Sequence, residues 1–141
     1  MDSQEPTKFH LLEINLISAQ ELKPVRKSVS KLMQTYVVAW IDPSRKLTSR
    51  IDSVGGENPT WNDKFVFVID DKIHNKINST LVIEIYRIRS KKIYSFGSFG
   101  KDKQIGTWRN ATLIDKSKQQ TRLTNHYNFA DFAFNWEKFV V

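Results

Sequence analysis

The segment Leu12-Glu13-Ile14-Asn15-Leu16 alternates apolar and polar side chains without a break. Side chains of an extended chain point to opposite faces in turn, so a run of this kind buries one clean face only as a β-strand. Further candidates follow along the chain. Tyr36 to Ile41 is almost wholly apolar, Lys46 to Ile51 is shorter and more polar, and Lys64 to Ile69 and Leu81 to Ile88 are the best of the remainder. Ile105-Gly106-Thr107-Trp108 opens a sixth strand, with Tyr127 to Phe129 and Trp136 to Val141 as the seventh and eighth. The runs are separated by turn signals at fairly even spacing, the pattern of a sandwich or barrel. In the turn Gly55-Gly56-Glu57-Asn58-Pro59, glycine permits positive φ and proline stops strand pairing.

Composition agrees with sheet. Ile, Val and Thr number 32 against 16 for Leu, Met and Ala, and β-branched side chains favour the extended chain. With Leu, Ile, Val and Phe at 41 of 141 residues, a packed core is expected. The length fits one domain, read here as residues 8–141 behind a flexible tail of residues 1–7. The stretch from Asp70 to Thr80 is polar, with room for a single helical turn.

There is no cysteine, which excludes disulfides and thiolate metal sites. A net charge of +7 raises nucleic acid and anionic membrane as partners. No apolar stretch approaches the roughly 20 residues of a membrane span. The first residues are polar and acidic, unlike a secretory leader, and Asp2 stands where myristoylation needs glycine. A soluble, cytoplasmic protein is expected.

Taken in order, several segments resemble a C2 domain. They are Leu11 through Leu22, Tyr36-Val37-Val38, Asn58-Pro59-Thr60-Trp61-Asn62-Asp63-Lys64-Phe65-Val66-Phe67, Leu81-Val82-Ile83-Glu84-Ile85, and Ile105-Gly106. The Asn-Pro-x-Trp-Asn-x-x-Phe-x-Phe stretch is the most specific. The first strand, with Leu16-Ile17-Ser18-Ala19-Gln20-Glu21-Leu22, is most similar to small plant C2 proteins of the cold-regulated and BONZAI-associated types. The match runs from about Lys8 to Trp108. The resemblance implies an all-β, eight-stranded antiparallel β-sandwich with loops one, two and three at one end. Because only about seven residues precede the first matched strand, the type II topology, with its last strand C-terminal, is expected. The aromatics then read as structure: Trp61 beneath the Gly55–Pro59 turn, Trp40 and Trp108 in or beside the core, and Phe65, Phe67 and Ile69 along one buried face.

Calcium-binding members of this family use about five aspartates, two in loop one and three in loop three. Calcium requires six to eight oxygen ligands with carboxylates among them. The matching positions here are Ser28, Gln34, Arg87, Arg89 and Lys103, and none is acidic. Asp102, one position off, is the only acid near the expected site. No metal and no other cofactor is therefore expected.

Cations stand in that place instead. Loop one carries Lys23, Arg26, Lys27 and Lys31, and loop three carries Arg87, Arg89, Lys91, Lys92, Lys101 and Lys103, together ten of the 22 Lys and Arg residues. Loop three interleaves them with Ile93, Tyr94, Phe96 and Phe99. Apolar rings flanked by cations suit a membrane interface, where the rings sit at headgroup depth and the charges meet phosphate. Loops one and three are thus the expected lipid-binding residues, acting without calcium on an anionic phospholipid surface. The protein would be a peripheral adaptor at the plasma membrane in signalling or stress response. Arg45, Lys46, Arg50 and Lys64 form a second candidate patch, where the family often binds phosphoinositide headgroups; an ordinary solvated strand face is the alternative.

A protein-interaction scaffold, with a membrane-associated partner held through loop three, is the competing reading. Nucleic acid ranks third, for the sequence has no RRM or KH motif. Catalysis is not expected: His10, His74 and His126 lack ligand spacing, Asp70-Asp71 reads as a turn and cap, and no nucleophile elbow is present.

Overall fold

In a computed structural model, the structure describes residues 9–22, 33–69, 80–88, 102–110, 122–129 and 132–140. Eight strands account for most of them: β1 (His10–Ala19), β2 (Thr35–Trp40), β3 (Leu47–Thr48), β4 (Thr60–Ile69), β5 (Leu81–Arg87), β6 (Lys103–Asn110), β7 (Arg122–Phe129) and β8 (Phe132–Val140). No helix occurs among the described residues. The expected tail at residues 1–7 and the helical turn between Asp70 and Thr80 fall outside them, apart from Thr80.

The strands form two antiparallel four-stranded sheets, ordered β4-β1-β8-β7 and β3-β2-β5-β6. The C-terminal strand β8 lies between β1 and β7, which is the type II arrangement. In β1 the inward residues Leu12, Ile14 and Leu16 are fully buried, as the alternation requires. A bulge between Leu16 and Ser18 appears in both of its ladders, and it turns Ala19 inward one residue out of phase. An extra residue of this kind bends the strand and re-aims the side chains beyond it. Phe65, Phe67 and Ile69 of β4 and Phe134 of β8 complete this wall of the core. Val37 and Ala39 of β2 with Leu81, Ile83 and Ile85 of β5 form the opposing one. Trp108 of β6 meets Phe134 edge-on at 4.9 Å between ring centroids, joining the two sheets.

Several expectations shift; the seventh and eighth strands begin at Arg122 and Phe132, not at Tyr127 and Trp136. The third strand shrinks to Leu47–Thr48, because the Val37 amide donates to the Ser49 hydroxyl, the Arg50 amide donates to the Asp63 carboxylate, and pairing with β2 resumes only at the isolated Thr35–Asp52 bridge. The fourth begins at Thr60, not Lys64: Thr60 and Asp63 pair with β1 through a polar stretch in which Asn62 takes φ 45°. Trp40 does not join the core. With Thr35, Val37 and Ala39 inward, its ring falls on the outer face of the sheet, where the Lys46 ammonium stands 4.2 Å from the centroid.

Candidate functional site

One end of the sandwich is defined by Thr35. It pairs with Arg87 at the end of β5, Arg87 pairs with Lys103 at the start of β6, and Thr35 bridges to Asp52. The Ala19 amide donates to the Pro59 carbonyl at 3.0 Å, which brings the end of β1 to the same place. The strand ends that residues 20–34, 49–59 and 88–102 connect therefore lie side by side. These segments are loops one, two and three of the sequence reading.

The Asn58-Pro59-Thr60-Trp61 motif holds this end together. The Asn58 side chain accepts the Glu21 amide, the Glu57 carbonyl accepts the Leu22 amide, and the buried Trp61 indole donates to the Thr35 carbonyl at 3.2 Å. Loop two is fixed from within by Asp52, only 7% exposed, whose carboxylate accepts the amides of Gly55 at 2.7 Å and Thr60 at 3.2 Å. The Asn58 amide closes a turn on the Gly55 carbonyl, and Gly56 supplies the φ of 58° that the turn demands. Backbone amides in a loop need partners as much as those in strands, and here a buried carboxylate serves two of them.

Of the candidate lipid-binding residues, Arg87 and Lys103 are paired strand ends at this tip. Lys23, Arg26, Lys27, Lys31, Arg89, Lys91, Lys92, Tyr94, Phe96, Phe99 and Lys101 lie outside the described residues. Gln34, at a position where calcium-binding relatives carry aspartate, is exposed and accepts the Ile88 amide on its carbonyl. Asp102 accepts the Tyr36 hydroxyl at 2.8 Å. Tyr36 is pushed up to about 12 by burial and then by that carboxylate. It stacks on Tyr86 at 5.5 Å, and Tyr86 in turn donates to Glu84 at 3.1 Å. Burial and Glu84 raise the Tyr86 hydroxyl likewise.

The second candidate patch is not one surface. Lys64, in the middle of β4, holds Glu13 at 2.8 Å on the outer face of one sheet. Arg50 flanks Asp63 at the root of loop two. Arg45 and Lys46 lie in the β2–β3 turn, at the end remote from Thr35. Sequence proximity grouped residues that the short β3 distributes over two sheets and both ends.

Two features escaped the sequence reading, one at this end and one in the middle of β5. Ile51 and Val54 of loop two are 53% and 79% exposed. Their outward placement follows from the inward carboxylate of Asp52 between them, which only the hydrogen bonds reveal. Glu84 is 7% exposed although it faces away from the core, and the run Leu81-Val82-Ile83-Glu84-Ile85 gave no sign of that burial.

Comparison with protein families matches the C2 domain over residues 10–129, most of the chain. The protein belongs to the C2 domain family. A relative from Arabidopsis thaliana, BON1-associated protein 2, is 35% identical over 98 residues, covering 67% of this chain and 40% of its own length. The resemblance to small plant C2 proteins holds, although the matched part is less than half of that relative. Among solved structures, the calcium-bound pair of C2 domains from Extended-Synaptotagmin 2 superposes with TM-score 0.65 at 15% identity, covering 91% of this chain and 45% of that one. A single C2 domain of plant Extended Synaptotagmin 1 gives 0.55 at 12% identity, with 92% of each chain covered. Human GIVD cytosolic phospholipase A2 gives 0.64 at 16%, covering 97% of this chain and 17% of its own. At these identities the likeness shows the fold alone.

Proposed function

We propose that this C2 domain binds anionic phospholipid membranes without calcium, through the end formed by loops one and three, as a peripheral adaptor and not as an enzyme. The observation that supports this most is the pairing of Arg87 with Lys103 beside Thr35, with cations standing at two positions where the family's calcium ligands would be acidic. Of the carboxylates described at this end, Asp102 is engaged by Tyr36 and Asp52 by the amides of Gly55 and Thr60, while Glu21 and Glu57 are exposed. Loops one and three add eight further cations by sequence. Such a surface carries its attraction permanently, whereas an acidic tip needs a metal to reverse its sign. Each cation near an anionic bilayer contributes about 1 kcal/mol, screened over ~8–10 Å.

The test is co-sedimentation with phosphatidylcholine vesicles containing phosphatidylserine or a phosphoinositide, in calcium and in chelator. Equal binding in both, weakening as salt rises, is the expected result. Binding in calcium alone rejects calcium independence, and no binding at all favours the protein-interaction scaffold. The proposed site of action is the cytoplasmic face of the plasma membrane, where anionic lipid is concentrated.

A further inference from the structure

Beyond Arg50, the sequence assigned loop two no role, and its exposed aliphatics have none in the fold. Val54 is 79% exposed, more than any other large hydrophobic among the described residues, and Ile51 is 53% exposed. Single exposed aliphatics are ordinary on a protein surface. Three circumstances set this pair apart.

The loop carrying them is rigid by construction. The Asp52 carboxylate between the two takes the amides of Gly55 and Thr60, the Asp52 backbone exchanges two hydrogen bonds with Thr35, and the Asn58 amide closes the turn behind. The Val54 side chain is thus held outward before any partner arrives, and little further conformational entropy is lost when it is covered. Its place is also specific. Through Asp52–Thr35 the loop is joined to the end where Arg87 and Lys103 pair. Finally, Arg50 opens the same loop with a side chain 67% exposed, so an aliphatic pair is bordered by a cation on a stem long enough to reach phosphate. Glu57 and Glu21 are exposed at this end too, while Asp52 is turned inward and Asp63 is 3.9 Å from Arg50. Along the chain the cation directly precedes Ile51, and Glu57 follows the glycine pair.

We infer that loop two is a preformed membrane anchor, with Val54 entering the interfacial region of the bilayer, Ile51 at its margin and Arg50 at a lipid phosphate. This rests on the membrane reading above and deepens it: charge on loops one and three would attract the domain, and an aliphatic wedge on loop two would seat it at a fixed depth. An apolar contact is insensitive to salt, so the bound state would retain a component that screening does not remove.

The chain has no cysteine, so Val54→Cys provides a unique attachment point for an environment-sensitive fluorophore. Ser44→Cys, in the β2–β3 turn at the remote end, provides the reference. Both are measured with vesicles of phosphatidylcholine and phosphatidylserine in chelator, alongside co-sedimentation. The expected result is a blue shift and quenching by acyl-chain nitroxides at position 54 and neither at 44. Val54→Ser, which removes apolar surface without disturbing a buried contact, should lower the partition constant about tenfold. Sedimentation of the protein with a label at 54 that stays aqueous overturns the anchor and leaves the membrane reading intact. Failure to sediment under any lipid composition overturns both.

Discussion

The indole Nε1 of Trp61 donates to the carbonyl oxygen of Thr35 across 3.2 Å, tying the start of β4 to the first residue of β2 in the opposite sheet. The same Thr35 carbonyl accepts the Asp52 amide at 2.8 Å, so one peptide group serves as the anchor point of loop two and of the tryptophan. Trp61→Phe retains most of the buried volume and loses the bond, at an expected cost of about 1 kcal/mol. Trp61→Ala also opens a cavity and should cost roughly 3–5 kcal/mol. Urea denaturation of both variants separates the two contributions.

Gly55 stands where a side chain has no room. A Cβ there would come within 2.6 Å of the Asn58 carbonyl oxygen and 2.8 Å of the Pro59 Cα, both backbone atoms. Gly55→Ala must therefore displace the turn itself. A loss of about 1–3 kcal/mol is expected, the usual range for forced backbone shifts. Amide exchange at Asn58, whose bond to the Gly55 carbonyl would be the first to open, is the local readout.

Asp52→Asn tests the second support of the same loop. The carboxylate accepts two amides with its two oxygens, and the substituted amide has a single acceptor oxygen and points a donor at another donor. A destabilisation of about 1–3 kcal/mol follows from leaving one buried amide unmatched. Protection should fall selectively at either Gly55 or Thr60 in native-state hydrogen exchange, and loss spread evenly over the sandwich would contradict the local assignment.

These three residues show where sequence sufficed and where it did not. The alternation in Leu12–Leu16 specified a strand and its inward face, since period two admits no other burial. The Asn58-Pro59-x-Trp61 spacing identified the family, and its hydrogen bonds to Glu21, Ala19 and Thr35 give that spacing its physical meaning. The run Tyr36 to Ile41 lacks alternation, so nothing in it decides which face is buried; Trp40 was assigned to the core side and lies on the other. Lys46 to Ile51 reads as a strand by propensity, yet side chains interrupt its second half, where the Ser49 hydroxyl accepts the Val37 amide and the Arg50 amide turns to Asp63. That diversion divides the second basic patch and presents Ile51 and Val54 to solvent.

Tyr36→Phe probes the stacked tyrosines. Folding raises the Tyr36 hydroxyl from 10 to about 12, through burial and the Asp102 carboxylate, so the folded state holds this proton more tightly than the unfolded one. Its contribution to stability is complete below pH 10 and is lost as pH rises from there through about 12. Tyr86 is shifted in the same direction, so the variant should flatten the alkaline decline without abolishing it. Urea midpoints for protein and variant, compared below pH 10 and near pH 11.5, should differ more at the lower pH.

Arg87 and Lys103 carry the charge argument within the described structure, because they pair at the tip while Lys64 is already held by Glu13 at 2.8 Å on another sheet. At about 1 kcal/mol per cation near an anionic surface, the double substitution Arg87→Gln with Lys103→Gln should weaken vesicle partitioning by about thirtyfold. Both positions are strand ends and not core residues, so the denaturation midpoint should move little. Raising salt to about 1 M, where the screening length shrinks to ~3 Å, should reduce the difference between protein and variant. Lys64→Gln should leave partitioning unchanged. A larger effect from Lys64 than from the Arg87 and Lys103 pair would move the lipid contact to the outer face of β1 and β4, away from the loops.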